Sequence, residues 1–466
     1  MITLIKALGW FFAKAPQFIP QLLIKACLGI FFATKPNKLW LAESNLHHAF
    51  PNKDLKWISR NARKSLIQLA ETSLFSLITP FINRNNLNRY LSISPKSLDE
   101  FNKALESGRP LILACPHMGC WEAITLLPAL VDGQGRKFSS LYRPLKNPKL
   151  DAWVKESRER FGFEMLSRRQ GLSTVLKTLR GKGIVGVLFD QHTSKQGALI
   201  SFIDRYSSAT PLPGILASKF DCGIITMVAD RTKFWHYETH IEFHEIKPKE
   251  NDATVFVNQW LENRLLSSPD KAYTWLWAHR RWKVQLEERE HFNIETKASL
   301  ISHYKNEVKK YRILVILPQS ETDVKSALNL LPKIQYSRPD AEITILTKKQ
   351  YTAFSALPSS TTILSVESNG GDYSLLSAKV RGAYYDSILK LNESPYWDRL
   401  LKNSGCRFIF GINRPNVPNH KLIRYAWKSP NAIAPKDRYQ EWMELLKHFG
   451  LQEENEPATD SSQSNR

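Results

Sequence analysis

The stretch PLILACPHMGCWE, residues 110–122, decides how the first part of this chain folds. Residues 110–115 form a continuous apolar run, which is typical of a strand buried on both faces of a sheet. His117 stands at the end of that run, and Gly119 then allows a tight turn into a predicted helix that carries Glu122. A histidine at this place is notable because ligands bind at the carboxyl ends of strands in open α/β sheets.

Strands and helices alternate along the chain around this stretch. IVGVLFDQ and CGIITMVADR predict further buried strands, KFSSLYRP predicts another strand, and the alternation in HYETHIEFHEI predicts an edge strand. NPKLDAWVKESRERFGF and GLSTVLKTLRGKG predict helices, and ATVFVNQWLENRLLSSPDKAYTWLWAHRRWK predicts a helix, a loop and a second helix. The predicted fold class is therefore α/β, with a mainly parallel sheet and hydrophobic helices before it.

At 466 residues the chain is long enough for more than one domain. A second α/β unit of Rossmann-like pattern opens at YRILVILP, after a polar and charged stretch. We predict an anchoring segment at residues 1–37, an α/β domain at residues 38–286, a linker at residues 287–310, the second unit at residues 311–450 and a disordered tail at residues 451–466.

The charge balance indicates an anionic partner. Lys and Arg number 65 against 44 Asp and Glu, which gives a net charge of +21. The cations are scattered among Trp and Phe rather than gathered in runs, so a membrane surface or an acidic substrate is favoured over nucleic acid. Five scattered cysteines argue against a disulfide framework and indicate a reducing compartment.

The N-terminal segment is apolar but interrupted. Lys6, Lys14 and Lys25, with Pro16 and Pro20, break the run LIKALGWFFAKAPQFIPQLLIKACLGIFFATKPNK before it reaches the length of a typical membrane span. We predict an interfacial anchor whose apolar residues enter the lipid boundary while lysines stay at the headgroups. A buried helical hairpin and a short spanning helix over residues 18–33 remain alternatives.

The chemistry of residues 115–122 can be interpreted in three ways. If Glu122 reaches back to the imidazole, it fixes the tautomer of His117, which can then take a proton from a substrate hydroxyl. C-x-H-x-x-C could instead supply metal ligands, although this is not a common zinc spacing. An inert, hydrogen-bonded histidine is the third interpretation. The glycine pattern GKGIVG follows a helix and precedes a strand, the reverse of the order in a dinucleotide site.

Several separate blocks carry a family resemblance. H-x4-E at 117–122 is followed by YRPLKNP with its R-P-x-x-N-P pattern, by DQ at 190–191 and by WAHRRWK at 277–283. Over about residues 1–285 this order resembles the late (lauroyl/myristoyl) acyltransferases of lipid A biosynthesis, a branch of the lysophospholipid acyltransferase superfamily. The resemblance implies that His117 is the general base and that Glu122 orients it.

The resemblance also implies a substrate-binding set. Guanidinium groups suit a phosphorylated glycolipid or the phosphopantetheine of a donor, and one can stabilise the oxyanion of a tetrahedral intermediate. Asp190 and Gln191, at a strand end, either position the acceptor hydroxyl or hold a catalytic arginine, and a structural cap is the alternative. The substrate-binding or oxyanion residues are Arg143, Asn147, Arg158, Arg160, Asp190, Gln191 and Arg231.

The block TWLWAHRRWK, residues 274–283, combines three tryptophans with cations. Such a mixture is expected of a helix that faces a membrane interface, and a core tryptophan cluster is the alternative. Where the family often has F-F-G-R, this chain has Asp204 in place of the glycine, so acceptor recognition near that loop can differ. The predicted interface residues are Trp275, Trp277, Arg280, Arg281, Trp282 and Lys283.

The second unit carries a different resemblance. RILVILPQSETDVKSALNLLPKIQYSRPDAEITILT is similar to the N-terminal lobe of heptosyltransferases of the lipopolysaccharide core, which have the two-lobed GT-B fold. Asp323 falls where that family has its catalytic aspartate, although Thr322 replaces the preceding glycine. Because the chain stops before a second lobe, we expect a half GT-B lobe that offers an acceptor site around Asp323 and does not transfer sugar.

Together these patterns predict a membrane-associated O-acyltransferase at the cytoplasmic face of the inner membrane. The donor is an acyl thioester on acyl carrier protein or coenzyme A, the acceptor is a hydroxyl of a lipid A-type glycolipid, and no cofactor, metal or nucleic acid is implied. Acylation of a phospholipid or a mannosylated lipid, and a non-catalytic glycolipid-binding protein, are the alternatives. A bifunctional enzyme would need the missing sugar-nucleotide lobe.

Overall fold

The computed structural model describes residues 2–34, 36–167, 171–193, 196–246, 252–285, 287, 289–294, 298–300, 311–357, 361–367, 372–413, 422–428 and 437–452. The chain forms two units. Unit 1 comprises residues 1–203, 207–282 and 298–303, and unit 2 comprises residues 204–206, 283–297 and 304–466. Most of the predicted linker and residues 453–466 of the predicted tail lie outside the described residues.

Four helices open unit 1. They are α1 (Ile2–Lys14), α2 (Phe18–Ala33), α3 (Asn37–Ala49) and α4 (Leu55–Ile78). The carboxylate of Asp54 begins α4 by accepting a hydrogen bond from the backbone N–H of Trp57. Among the described residues no single helix is long and apolar enough to cross a membrane, and α2 with α3 passes that test only as a pair bent by 88°.

The first two helices expose much apolar surface. On α1, Leu4 is 65% exposed and Trp10 is 56% exposed, and on α2 Ile30 is 74% exposed. Large apolar side chains that face solvent in this number are unusual for a soluble helix and mark an interaction surface. The other exposed apolar residues of the two helices are Leu8, Phe11, Phe18, Leu22, Leu23 and Phe31.

Among the described residues, ten strands follow that belong wholly or mainly to unit 1. They are β1 (Leu91–Ile93), β2 (Leu111–Cys115), β3 (Phe138–Tyr142), β4 (Phe163–Ser167), β5 (Ile184–Leu188), β6 (Ala198–Phe202), β7 (Arg205–Ala209), β8 (Gly223–Lys233), β9 (His236–His244) and β10 (Ala298–Ser299). Seven of them form one sheet in the order β1-β9-β8-β2-β5-β3-β4, and β10-β6-β7 form a small second sheet.

The large sheet is parallel except where β8 meets β9. The predicted strand β2 lies inside it, and all five of its residues are buried, as an apolar run without alternation requires. The α/β class with a parallel sheet is confirmed. Strands β1, β4, β6 and β7 were not predicted, and β9 lies one place in from the edge because β1 pairs with it.

Five helices complete unit 1: α5 (Pro95–Glu106), α6 (Pro148–Glu159), α7 (Leu172–Arg180), α8 (Leu212–Phe220) and α9 (Ala253–Ser267). Two of the predicted helices do not form α-helices. Residues Trp121–Ala129 form a 3-10 helix, since Pro128 removes a backbone donor from any α-helical ladder. After the 3-10 turn Pro269–Thr274, the tryptophan block continues in turns and irregular backbone.

The described part of unit 2 contains six parallel strands. They are β11 (Tyr311–Ile316), β12 (Ala341–Thr347), β13 (Thr362–Ser365), β14 (Ser387–Lys390), β15 (Ile409–Asn413) and β16 (Tyr425–Lys428). Their order, β13-β12-β11-β14-β15-β16, is the doubly wound 3-2-1-4-5-6 arrangement of Rossmann-type domains. The helices are α10 (Glu321–Leu328), α11 (Leu330–Ser337), α12 (Tyr373–Gly382), α13 (Asp398–Ser404) and α14 (Arg438–His448).

Parts of the predicted linker and tail belong to the folded units. Phe292 is fully buried in the core of unit 2, and Leu451 packs in the same core. Residues Ala298–Ser299 form β10, which pairs with β6 in unit 1. The polar composition of residues 287–310 concealed these contacts, because single apolar residues give no periodic signal.

Candidate active site

The loop after β2 is held in one position by its backbone. Gly119 has φ +60°, and a Cβ there would lie 2.0 Å from the carbonyl oxygen of Ala229. The N–H of Gly119 donates to Thr274 O at 2.9 Å, and the hydroxyl of Thr72 on α4 donates to the Gly119 carbonyl at 3.1 Å. Glycine is therefore required for the tight turn, as predicted, and the close neighbour is the backbone of β8.

The sheet register brings His117 level with Asp190. β2 and β5 pair in parallel from Leu111 with Ile184 to Cys115 with Leu188, and the same offset continued by two residues pairs 117 with 190. Asp190 Oδ1 lies 2.7 Å from His117 Nδ1, and Asp190 Oδ2 accepts the His117 backbone N–H at 2.8 Å. The two residues therefore meet at the carboxyl edge of the sheet.

Asp190 is ionised at neutral pH. Burial alone would raise its pKa, but His117 and the indole N–H of Trp275, which donates to Oδ2 at 2.7 Å, outweigh burial and hold the pKa at about 2. An ionised carboxylate only accepts hydrogen bonds, so Nδ1 of His117 carries the proton and donates it. Nε2 then has a free lone pair, which is the form that a general base needs.

The basic nitrogen of His117 has a polar neighbour. The side-chain amide of Gln191 lies 3.0 Å from Nε2, and as the donor it fits the tautomer that Asp190 sets. The ring of Trp121 lies 5.2 Å from the imidazole, measured between centroids. The Gln191 amide therefore occupies the place beside Nε2 that another hydrogen-bond donor could take.

Glu122 does not contact the imidazole, and the prediction that it orients His117 is wrong in this structure. The Arg158 guanidinium on α6 donates two hydrogen bonds to the Glu122 carboxylate, from Nη2 to Oε1 at 2.6 Å and from Nε to Oε2 at 3.1 Å. The 3-10 conformation of residues 121–129 has a tighter turn than the predicted α-helix, which alters the direction of the Glu122 side chain. A buried carboxylate needs such a partner.

The remaining predicted substrate residues separate by their contacts. Arg143 follows β3 and is exposed, so it is available to a ligand. Asn147 caps α6, because its side chain accepts hydrogen bonds from the backbone N–H groups of residues 149 and 150. Arg160 donates to the carbonyl oxygens of Thr79 and Pro80, and burial lowers its pKa.

Arg231, at the far end of β8, is paired with Glu71 of α4. Its Nε lies 2.9 Å from each of the two carboxylate oxygens. The Glu71 carboxylate also accepts the backbone N–H of Trp235 at 3.1 Å and the hydroxyl of Tyr237 at 3.3 Å. Burial raises the pKa of Glu71, and Arg231 opposes that rise.

The tryptophan block belongs to the core, which contradicts its predicted place at a membrane interface. Trp275 is 1% exposed, Trp277 0% and Arg281 0%, and Trp282 is also buried. The Arg281 guanidinium lies over the ring of Phe202 with 4.8 Å to the centroid. The sequence could not distinguish the two environments, because aromatic rings and cations mix in both. Arg280 and Lys283 are half-buried.

The cysteines beside His117 lie in the interior of unit 1. Cys115 and Cys120 are buried, and burial raises the pKa of both thiols, so they stay protonated. Among the described residues, no group of three His, Cys, Asp or Glu side chains is arranged to hold a metal ion. Asp204 sits in the turn between β6 and β7 with φ +55°, a backbone conformation that glycine takes without strain.

Two contributors, Thr72 and Glu71, were not predicted from the sequence, and Trp275 was predicted only for a membrane interface. Trp275 holds Asp190, Thr72 holds the loop, and Glu71 holds Arg231, and each acts across more than 40 residues of sequence. His279, predicted only as part of a motif, accepts the backbone N–H of His192 at 2.8 Å through Nε2. Burial lowers the pKa of His279 to about 3, so this imidazole is neutral.

Asp323 lies in the first turn of α10 in unit 2.

A parallel α/β sheet that presents a histidine paired with a carboxylate at its carboxyl edge has the arrangement of an enzyme active site. The sequence model of the bacterial lipid A biosynthesis acyltransferases matches residues 1–284. The chain is 25% identical over 285 residues to a lipid A biosynthesis acyltransferase of Haemophilus influenzae, which covers 58% of this chain and 85% of that protein. The chain belongs to the bacterial lipid A biosynthesis acyltransferase family and is an acyltransferase.

Proposed function

We propose that this protein transfers a fatty acyl chain from a thioester to a hydroxyl of a lipid A-type glycolipid, with His117 as the general base. The observation that carries the proposal is the hydrogen bond between His117 Nδ1 and the ionised carboxylate of Asp190, which leaves Nε2 basic. The family and the name of the Haemophilus influenzae relative support the acceptor class.

The chemical step balances without a further reactant. Nε2 of His117 takes the proton of the acceptor hydroxyl as its oxygen attacks the thioester carbonyl. The tetrahedral intermediate then collapses and breaks the carbon–sulfur bond, and the thiolate recovers the proton from the imidazolium. Asp190 stabilises that imidazolium, since its carboxylate accepts the Nδ1 proton throughout.

A donor with acidic character fits the charge of the chain. The net charge of +21 favours association with an anionic thioester, either acyl carrier protein or coenzyme A, through long-range attraction. Exposed Arg143 stands after β3, at the same edge of the sheet as His117, and offers a guanidinium to the phosphopantetheine phosphate.

The N-terminal helices suit an association with the cytoplasmic face of the inner membrane. The exposed apolar residues of α1 and α2 supply the buried area that interfacial anchoring needs, and Lys6, Lys14 and Lys25 supply cations for the headgroups. A glycolipid acceptor embedded in that membrane would meet the enzyme at this surface.

The test is a lipid profile. The gene is deleted in its source organism and restored as wild type or as His117→Ala, and total lipid extracts are compared by mass spectrometry. We expect the deletion to lose one acyl mass from a glycolipid and His117→Ala, at normal protein level, not to restore it. Restoration of the wild-type profile by His117→Ala contradicts the proposal, and a mass lost from a phospholipid or mannosylated lipid contradicts the acceptor.

A further inference from the structure

A pocket between the N-terminal helices and the end of β8 has no assigned role. It has a volume of about 190 Å³ and lies among α2, α4, the end of β8 and the 3-10 turn before Trp275. Its apolar wall consists of Ile24, Ile67 and Phe234. The polar residues that line it are Gln21, Lys25, Lys64, Gln68, Glu71, Arg231 and Tyr273.

The charge of this pocket is positive and is not compensated by its own carboxylate. Glu71 is 3% exposed, and its oxygens are taken by Arg231, Trp235 and Tyr237. Lys25 and Lys64 are exposed, and among the described residues neither is in an ion pair. Lys64 lies over the ring of Tyr273 at 5.2 Å, which directs its ammonium group to the pocket.

The pocket adjoins both the proposed membrane surface and the active site. α2 contributes Ile24 and Lys25 to the pocket, while its Leu22 and Ile30 are exposed at 59% and 74%. α4 contributes Lys64 and Gln68 to the pocket and fixes the His117 loop through Thr72. The pocket residue Gln68 donates a hydrogen bond to the Thr72 hydroxyl at 3.4 Å, so a direct contact on α4 joins the pocket to the residue that holds the loop.

We infer that this pocket binds the phosphate-bearing end of an anionic amphiphilic lipid, with Lys25 and Lys64 on the phosphate and the apolar wall against the adjoining chain. Two ammonium groups beside hydrocarbon select this chemistry, since a phosphate alone would gain nothing from the apolar wall and a neutral lipid nothing from the cations. Under the proposed function, on which this second step rests, the phosphate is that of the acceptor, held beside His117.

Binding is tested without catalysis. The full chain in non-ionic detergent at low salt is titrated in a calorimeter with dihexanoyl phosphatidic acid, dihexanoyl phosphatidylcholine and inorganic phosphate. We expect the phosphatidic acid to bind most tightly and Lys25→Gln/Lys64→Gln to weaken it by about tenfold, since exposed charge pairs contribute up to about 1 kcal/mol each. The matched control is Lys96→Gln/Lys177→Gln, two exposed lysines elsewhere in unit 1, which should bind as wild type does.

If inorganic phosphate and phosphatidic acid bind equally tightly, the lipid assignment is overturned. If both double variants lose affinity for phosphatidic acid to the same extent, the assignment of the pocket as the binding site is overturned. Acyl-transfer kinetics form the second arm: the pocket variant should raise KM for the acceptor and leave kcat and the donor KM unchanged. An unchanged acceptor KM in an active enzyme overturns the acceptor assignment. If the wild type transfers no acyl chain, the proposed function fails while the calorimetric arm still decides the pocket.

Discussion

Replacing Asp190 by asparagine should invert the tautomer of His117. Oδ2 of Asp190 accepts two N–H groups, from the His117 backbone and the Trp275 indole, while Oδ1 faces Nδ1 of His117. In the variant the amide oxygen must take the Oδ2 position, because an NH₂ there would leave two buried donors unpaired at about 1–3 kcal/mol each. The amide NH₂ then donates to Nδ1, and Nε2 carries the proton.

The size of the loss follows from the role of the base. A positioned general base contributes about 10²–10⁴-fold, so we expect kcat/KM of Asp190→Asn to fall by about 10³-fold in a protein that stays folded. The assay is acyl transfer from a thioester to the acceptor, with folding checked by thermal unfolding. The tautomer is observed directly by NMR of the ¹⁵N-labelled imidazole, which should shift its proton from Nδ1 to Nε2.

Glu122→Gln is the matched comparison. It also neutralises one buried carboxylate at the same edge of the sheet, but its contact is Arg158 and not the imidazole. We expect the His117 tautomer to stay as in the wild type. If Glu122→Gln inverts the tautomer and Asp190→Asn does not, then Glu122 is the residue that orients His117. The assignment of this role to Asp190 would then be refuted.

Three further outcomes are expected. Gly119→Ala should lower the free energy of unfolding by at least about 2 kcal/mol and abolish acyl transfer, because the new Cβ would meet the Ala229 carbonyl. Gly135→Ala, at φ +75° in open space, should cost only about 1–2 kcal/mol in thermal unfolding. Equal costs for the two variants would contradict the close approach at Gly119. In the folded protein His279 stays neutral down to about pH 3, whereas in the unfolded chain it takes up a proton below about pH 6.5. Its contribution to the free energy of unfolding is therefore present above pH 6.5 and is lost as the pH falls towards 3. His279→Gln should therefore lower the slope of unfolding free energy against pH in that window by up to about 1.4 kcal/mol per unit, and an unchanged slope would show that it titrates normally. Trp275→Phe keeps an aromatic ring but removes both a donor to a buried carboxylate and part of the buried indole. It should cost at least about 1.5–3 kcal/mol in denaturant unfolding, and a smaller cost would contradict the hydrogen bond.

The parallel sheet and the position of His117 were predictable from local signals. An apolar run of five residues without alternation, followed by a turn signal, is typical of a strand buried on both faces of a sheet, and β2 is such a strand. The histidine two residues beyond it then lies at the carboxyl edge whatever the neighbours are. Similarly, the open alternation of strand and helix after residue 311 produced a parallel sheet in unit 2.

The partner of His117 was not predictable in the same way. Two carboxylates were available, one five residues away and one 73 residues away, and sequence proximity favoured the nearer. Which carboxylate pairs with His117 depends on the register of β2 against β5 and on the 3-10 conformation after Cys120. Neither feature can be predicted from the local spacing of apolar residues. The prediction for the tryptophan block failed for a related reason. The burial of its cation Arg281 depends on acceptors such as Asn258, which belong to another element of the chain.

The pairing of Glu122 with Arg158 changes what a mutation at Glu122 can prove. Glu122 is 5% exposed, so its removal leaves the half-buried Arg158 guanidinium without its bidentate partner, and breaking such a pair is costly on its own. Activity would fall even though the base is untouched. Loss of activity in a Glu122 variant is therefore expected under both assignments and cannot identify a His117–Glu122 dyad. Only an observable of the imidazole itself, its tautomer, separates a residue that orients the base from one that holds a neighbouring cation.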